Sequence, residues 1–250
     1  MDLREFFERH PKVAIAFSGG VDSAYLLSAA VRAGADVRAY FVNSVFQPRF
    51  EIEDARRTAR EVGARMREIE LDVLAVPEIA SNGTDRCYRC KRAIMGAVAR
   101  VAAEDGYLEI VDGTNASDEA DDRPGMRALA ELGVLSPLRE CGIEKAEVRR
   151  RAREAGLSTW DKPAYACLAT RVPTGVAITA GMLATTEAAE EALAAMGFSD
   201  IRVRWMGGAA RVQVPEDQMP LAVERRQDII EALRPLYTAV VLDLECRPGA

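Results

Sequence analysis

Two short stretches carry side chains whose types and spacing could do chemistry. Ser18-Gly19-Gly20-Val21-Asp22-Ser23 sets two hydroxyls, two glycines and a carboxylate directly behind the apolar run Val13–Phe17. Glycine lets main-chain N–H groups close on an anion, and a helix starting there adds its partial positive charge. Asp22 could hold Mg²⁺. The turn lacks the Gly-Lys-Ser/Thr ending of a Walker A loop and the Gly-x-Gly-x-x-Gly spacing of a dinucleotide site. The second stretch, Asp85-Arg86-Cys87-Tyr88-Arg89-Cys90-Lys91, places two thiols three apart among cations that suit thiolate ligands. Cys167 lies far off, in Pro163-Ala164-Tyr165-Ala166-Cys167-Leu168-Ala169-Thr170-Arg171.

Those three cysteines leave several readings open. A zinc site would want four ligands, and the sole histidine, His10, sits in a charged N-terminal stretch. A redox dithiol accounts for two cysteines and not the third. Three thiolates suit a 4Fe-4S cluster with one iron open. Three buried, inert thiols remain the plain alternative. Cys141 and Cys246 lie outside any motif. With the one histidine in that charged stretch, the sequence argues against Ser-His or Cys-His catalysis and against multi-histidine metal sites.

The run from Asp112-Gly113-Thr114-Asn115 to Asp121-Asp122-Arg123-Pro124-Gly125 is rich in carboxylates and small residues, which suits Mg²⁺ or a solvated helix cap. Gly207-Gly208 reads as a two-residue hairpin turn, which pairs Met206 with Ala209, Arg204 with Arg211 and Arg202 with Gln213. One face is then apolar, with Ile201, Val203, Trp205, Ala210, Val212 and Val214. The other collects Arg202, Arg204 and Arg211. Like charges face to face need an anion between them, either a phosphate or carboxylate ligand or an acid such as Glu190 or Glu187.

Strand and helix signals alternate through residues 1–173, predicting an α/β domain with a parallel sheet. Strands are expected at 13–17, 37–42, 65–71, 108–111 and 134–135, with helices at 22–33, 50–63, 90–104, 124–132 and 144–155. Ligands of such sheets bind beyond the carboxyl ends of the strands, where the glycine turn and the acidic run would both lie. Residues 174–250 predict a smaller α+β domain. Its helix runs from Thr179 to Met196, the hairpin follows, and a helix at 217–233 and a strand at 238–244 close it.

The chain has 250 residues, net charge −6 and a pI near 5.1, which argues against a protein built mainly to grip nucleic acid. No apolar run approaches the roughly 18 residues of a bilayer span. The start, Met1 to His10, has no signal-peptide stretch, so a cytoplasmic location is expected. The odd cysteine count points away from a disulfide framework.

Ser-Gly-Gly-x-Asp-Ser behind a first strand resembles the pyrophosphate loop of the PP-loop ATP pyrophosphatases, which cleave ATP between its α and β phosphates. The wider pattern resembles the LarE family of ATP-dependent sulfur transferases, which build a nickel-pincer nucleotide. Residues 18–23, 112–115, 121–125, Ala166–Pro173 and Ile201–Arg204 carry that resemblance across both domains.

The resemblance implies adenylation of a carboxylate of pyridinium-3,5-biscarboxylic acid mononucleotide, with sulfur then displacing AMP. It implies that Ser18, Gly19, Gly20, Asp22 and Ser23 hold pyrophosphate and Mg²⁺, with Asp118 or Asp122 as a second metal ligand. Asn43, Gly113 and Arg123 join the expected nucleotide site. Lys91 and Arg171 would neutralise charge as the adenylate forms. Arg202, Arg204 and Arg211 would grip the substrate phosphate beside Glu190. Cys87, Cys90 and Cys167 match members that hold a 4Fe-4S cluster, whereas other members sacrifice a single cysteine, here Cys167. A homo-oligomer is also implied; the sulfide source is not. The competing readings are a tRNA thiolase, an amidating PP-loop ligase and a nucleotide-binding regulatory protein.

Overall fold

A computed structural model describes residues 1–118 and 124–247. The chain runs α1 (Leu3–Arg9), β1 (Lys12–Ala16), α2 (Val21–Arg32), β2 (Asp36–Asn43), α3 (Arg49–Val62), β3 (Arg65–Glu70), α4 (Pro77–Ala80), α5 (Arg86–Glu104), β4 (Ile110–Asp112), α6 (Pro124–Glu131), α7 (Pro137–Glu140) and α8 (Lys145–Glu154). It continues through α9 (Ala180–Ala195), β5 (Arg202–Met206), β6 (Ala209–Gln213), α10 (Met219–Glu224), α11 (Arg226–Leu233) and β7 (Val240–Leu242). Two compact units result: Met1–Val73 with Asp85–Lys162, and Leu74–Thr84 with Pro163–Ala250. The division therefore falls at 162/163 rather than the expected 173/174, and a short earlier segment joins the second unit.

The first unit is an α/β fold around a four-stranded sheet ordered β3-β2-β1-β4, with every pairing parallel. Strand β1 is apolar on both faces because both are covered. Val13 and Ile15 join Leu26, Leu27 and Ala30 of α2, while Ala14 joins Val98, Val101 and Ala102 of α5. The chain leaves β1 for β2 on one side, and β4 pairs on the other, with Ala16 opposite Asp112. This reversal of strand order is the topological switch point, where loops diverge and leave a crevice. Helix α3 ends at Gly63, whose φ of 73° is the left-handed stop that glycine accepts without strain.

Some elements differ from expectation. Helix α5 begins at Arg86, not 90, so both Cys87 and Cys90 lie within its opening turns. Leu135 makes only an isolated bridge to Val111, because Ser136 and Pro137 turn the chain into α7. The expected helix at 217–233 is split at Arg225.

In the second unit, β5 and β6 form an antiparallel hairpin and β7 adds in parallel to β6. Gly207 and Gly208 both adopt positive φ, 59° and 93°, as a tight two-residue turn requires. Ile201, Val203, Ala210, Val212 and Val214 pack with Ala189 and Leu193 of α9 and with Ile229 and Leu233 of α11. Thr179 caps α9 by accepting the Met182 N–H at 3.2 Å. The early segment is held by Asn82, 1% exposed and in left-handed backbone, φ 57°. Its Nδ2 donates to the carbonyls of Val172, Pro173 and Val176, and its own carbonyl accepts the Gly175 N–H at 2.8 Å.

Candidate functional site

In the first unit, the glycine loop sits at the switch point. Gly19 adopts φ +72°, and a Cβ there would stand 3.0 Å from that of Ala55 on α3. Only glycine fits both conditions. Gly113, just beyond β4, is pressed still closer: an added Cβ would lie 2.8 Å from the Ser23 nitrogen. The two loops therefore meet backbone to backbone at the start of α2. Gly20 is the N-cap of α2 and supplies no side chain, so the opening N–H groups of the helix have no side-chain cap. Ser18 and Ser23 share a hydroxyl–hydroxyl bond of 3.1 Å, and Ser23 Oγ donates to the Gly20 carbonyl at 3.2 Å. Glycine backbone, two hydroxyls and a helix N-terminus form a cradle whose chemistry fits a polyphosphate.

Asp22 stands at the second position of α2. Its Oδ1 accepts Asn115 Nδ2 at 3.2 Å and its Oδ2 accepts Lys145 Nζ at 2.5 Å. Asn115 is buried, its Oδ1 accepts the Ser117 N–H, and its own N–H donates to Asp118 Oδ2 at 3.0 Å. Asp112 accepts from Thr114 and from Ser136 Oγ. The strand-end carboxylates are thus held in place, and Asp22 and Asp118 are the donors fitted to Mg²⁺. Asn43, at the end of β2, donates to Glu70 at 2.7 Å. Lys91 lies half-buried on α5, close to Gly125 of α6. Asp122 and Arg123 lie outside the described residues.

Lys145 was not anticipated. Its only sequence signal is its place at the first position of α8, behind Gly142-Ile143-Glu144. Ala116 and Ser117 fix that position by bonding to the Ile143 carbonyl and the Lys145 N–H.

Cys87 is exposed and Cys90 half-buried, three residues apart on one side of the start of α5. Arg86 donates to Cys87 Sγ at 3.4 Å. Cys167, half-buried, belongs to the second unit. Among the described residues of either unit, no three histidine, cysteine or carboxylate side chains form a metal-binding group.

The second unit gathers the predicted arginines. The hairpin register pairs Arg204 with Arg211 and Arg202 with Gln213, as the two-residue turn requires. Their neutralising partners are local. Arg211 meets Asp243 at 3.3 Å, Arg202 meets Asp200 at 3.3 Å, and Arg204 donates to Gln213 and, at 2.9 Å, to the Thr170 carbonyl. Glu190 instead serves Arg171, accepting Nε at 2.9 Å and Nη2 at 3.1 Å, and also takes the Tyr165 hydroxyl and the Val203 N–H.

Arg171 is 1% exposed, and its third nitrogen donates to the Ala166 carbonyl at 2.7 Å, the Cys167 carbonyl and Thr170 Oγ1. Its guanidinium is spent on the backbone around Cys167, which makes it an anchor of that segment. Burial works against its charge, but the Glu190 hydrogen bond and charge hold its pKa above the ordinary arginine value. Arg202 and Arg204 go the other way, lowered first by burial and then by Arg171. Arg202 and Arg171 lie over the Tyr165 ring, at 4.8 and 4.5 Å from its centroid. Burial, then Glu190, pushes the Tyr165 hydroxyl well above the usual phenol range. Arg247 joins Asp200 as well, so that Arg202 and Arg247 share one carboxylate.

No family model matches the chain. It is 34% identical over 249 residues to an uncharacterized protein of Synechocystis sp., covering 98% of this chain and 92% of that protein. It is 28% identical to an uncharacterized protein of Methanocaldococcus jannaschii over 98% of this chain and 93% of the relative. It is 36% identical over 207 residues to the pyridinium-3,5-bisthiocarboxylic acid mononucleotide synthase of Lactiplantibacillus plantarum, spanning 82% of this chain and 75% of that enzyme. With that identity and coverage, the chain belongs to the LarE family of pyridinium-3,5-bisthiocarboxylic acid mononucleotide synthases.

Proposed function

We propose that the protein is an ATP-dependent sulfur transferase acting on a carboxylate of pyridinium-3,5-biscarboxylic acid mononucleotide. The observation that carries this is the glycine loop at the switch point, a cradle closed by Gly113 against Ser23. A carboxylate oxygen of the acceptor attacks the α-phosphorus of ATP, and the bond to the β-phosphate oxygen breaks. Pyrophosphate leaves into the loop of Ser18, Gly19, Gly20 and Ser23. Asp22, with Asp118, would hold Mg²⁺, which when bound would offset polyphosphate charge. Lys91 offsets charge as the acyl adenylate forms. A sulfur nucleophile then attacks the acyl carbon and AMP departs, leaving a thiocarboxylate. Arg202, Arg204 and Arg211 hold the acceptor's phosphate, which the cross-strand pairing of Arg204 with Arg211 favours. Arg171 and Glu190 fix the backbone that presents Cys167.

Cys87, Cys90 and Cys167 would hold a 4Fe-4S cluster, whose open iron when bound supplies the sulfide. The second reading gives the sulfur to Cys167 alone and is favoured by the anchoring of its carbonyl by Arg171. The Cys167 thiolate attacks the adenylate, AMP leaves, and loss of the Cα proton breaks the Cβ–S bond. That leaves dehydroalanine, with no net oxidation.

The test is release of AMP and pyrophosphate from ATP upon addition of the dicarboxylate mononucleotide. Release that depends on the acceptor and is lost in Asp22→Ala supports the proposal; release without acceptor, or none in wild type, refutes it.

A further inference from the structure

Both carboxylate oxygens of Asp22 are engaged by protein donors, Oδ1 by Asn115 and Oδ2 by Lys145. A divalent cation binding Asp22 would meet the Lys145 ammonium, a like charge already bonded to the same carboxylate, whereas Asn115 is neutral. Asn115 is 3% exposed and is tied at both ends, to Ser117 and to Asp118. Lys145 differs: its backbone is fixed by Ser117, but its side chain is about one-third exposed and ends in a flexible ammonium. Lys145 is therefore the partner that yields.

Released from Asp22, the ammonium would stand at the positive N-terminal end of α2, where a cation is disfavoured. Among the described residues, Asp118 already takes the Asn115 N–H, and Asp112 takes Thr114 and Ser136. A polyphosphate bound in the adjacent cradle is the multiply charged anion at that same helix end, and it would receive the ammonium.

We infer that Lys145 exchanges partners, giving up Asp22 to the divalent cation and taking a polyphosphate oxygen instead. This rests on reading the loop as an ATP-cleaving site. Lys145 thus competes with metal while the loop holds no polyphosphate and reinforces binding once both are present, which orders metal and polyphosphate as one unit.

The two effects have opposite signs, which a merely structural lysine would not give. In the full-length protein, Mn²⁺ binding is read from the free-ion paramagnetic resonance signal, and pyrophosphate binding with Mg²⁺ by calorimetry. Lys145→Met, and equally Lys145→Gln, should bind Mn²⁺ several-fold tighter. Each should bind magnesium pyrophosphate about ten-fold more weakly, the loss of one charge-assisted hydrogen bond. Adding Asp22→Asn should abolish the gain in Mn²⁺ affinity. Asp22→Asn alone, with Lys145 released, should hold metal-free pyrophosphate at least as well as wild type. Folded Lys145 variants whose two affinities stay fixed or fall together would overturn the exchange. Wild type that binds neither MgATP nor pyrophosphate would instead overturn the nucleotide reading beneath it.

Discussion

Single atoms decide whether the two loops of the first unit can meet. Gly113→Ala would drive a methyl group to 2.8 Å from the Ser23 nitrogen, and backbone there cannot yield without moving the first turn of α2. The expected outcome is at least a ten-fold loss of pyrophosphate release with a modest fall in melting temperature. A normal turnover in Gly113→Ala would show that the close approach is dispensable.

Glu190 poses the opposite problem, a charge that cannot be removed. Glu190→Leu leaves Arg171 buried without its counter-ion, at a cost of about 3–5 kcal/mol, and should lower the melting temperature by roughly 10 °C. The sequence placed Glu190 near arginines correctly in kind but not in partner. Helical spacing on α9 says which side Glu190 faces, not that Arg171 outcompetes the hairpin. Lys145 was illegible for a related reason. Its bond to Asp22 joins residues 123 apart, and no local pattern encodes it.

Elements were legible where a local rule fixes them. The two-residue Gly207-Gly208 turn sets the register of β5 on β6, and the structure follows it pair for pair. Gly208→Val, forced into φ 93°, should destabilise the hairpin by about 1–2 kcal/mol or more, measurable by thermal melting. A neutral result would show that the turn relaxes to another type. The start of α5 was less legible because Asp85, its N-cap residue, makes no side-chain cap bond and instead pairs with Arg89.

Elsewhere, Arg38 and Tyr40 of β2 and Arg67 of β3 converge on Asp105 behind α5. Their hydrogen bonds, that of Arg38 first, hold its pKa at about 2, against about 4 in the unfolded chain. The pairing therefore stabilises the fold fully above pH 4, and the contribution fades as pH falls from 4 towards 2. Acid unfolding curves of Asp105→Asn should lose that part of their slope; an unchanged curve would remove Asp105 from the account.

At the scale of the molecule, the question is what carries the sulfur. Protein purified without oxygen should contain about four irons per chain, lost when Cys87, Cys90 or Cys167 is replaced by serine. Iron retained in Cys87→Ser would count against the three-thiolate set. No iron, with Cys167 lighter by about 34 Da after turnover, would establish the single-use donor. No described helix is long and apolar enough to cross a membrane.

The second unit is assembled from two pieces of chain, and Asn82 is the clasp between them. During synthesis Asn82 emerges 90 to 94 residues before Val172, Pro173 and Val176, whose carbonyls it must meet. Until then the amide lacks those three acceptors, although every strand of the first unit's sheet has already been made. The order of translation thus delays closure of the second unit, and a fragment beginning at Pro163 would lack part of itself from birth.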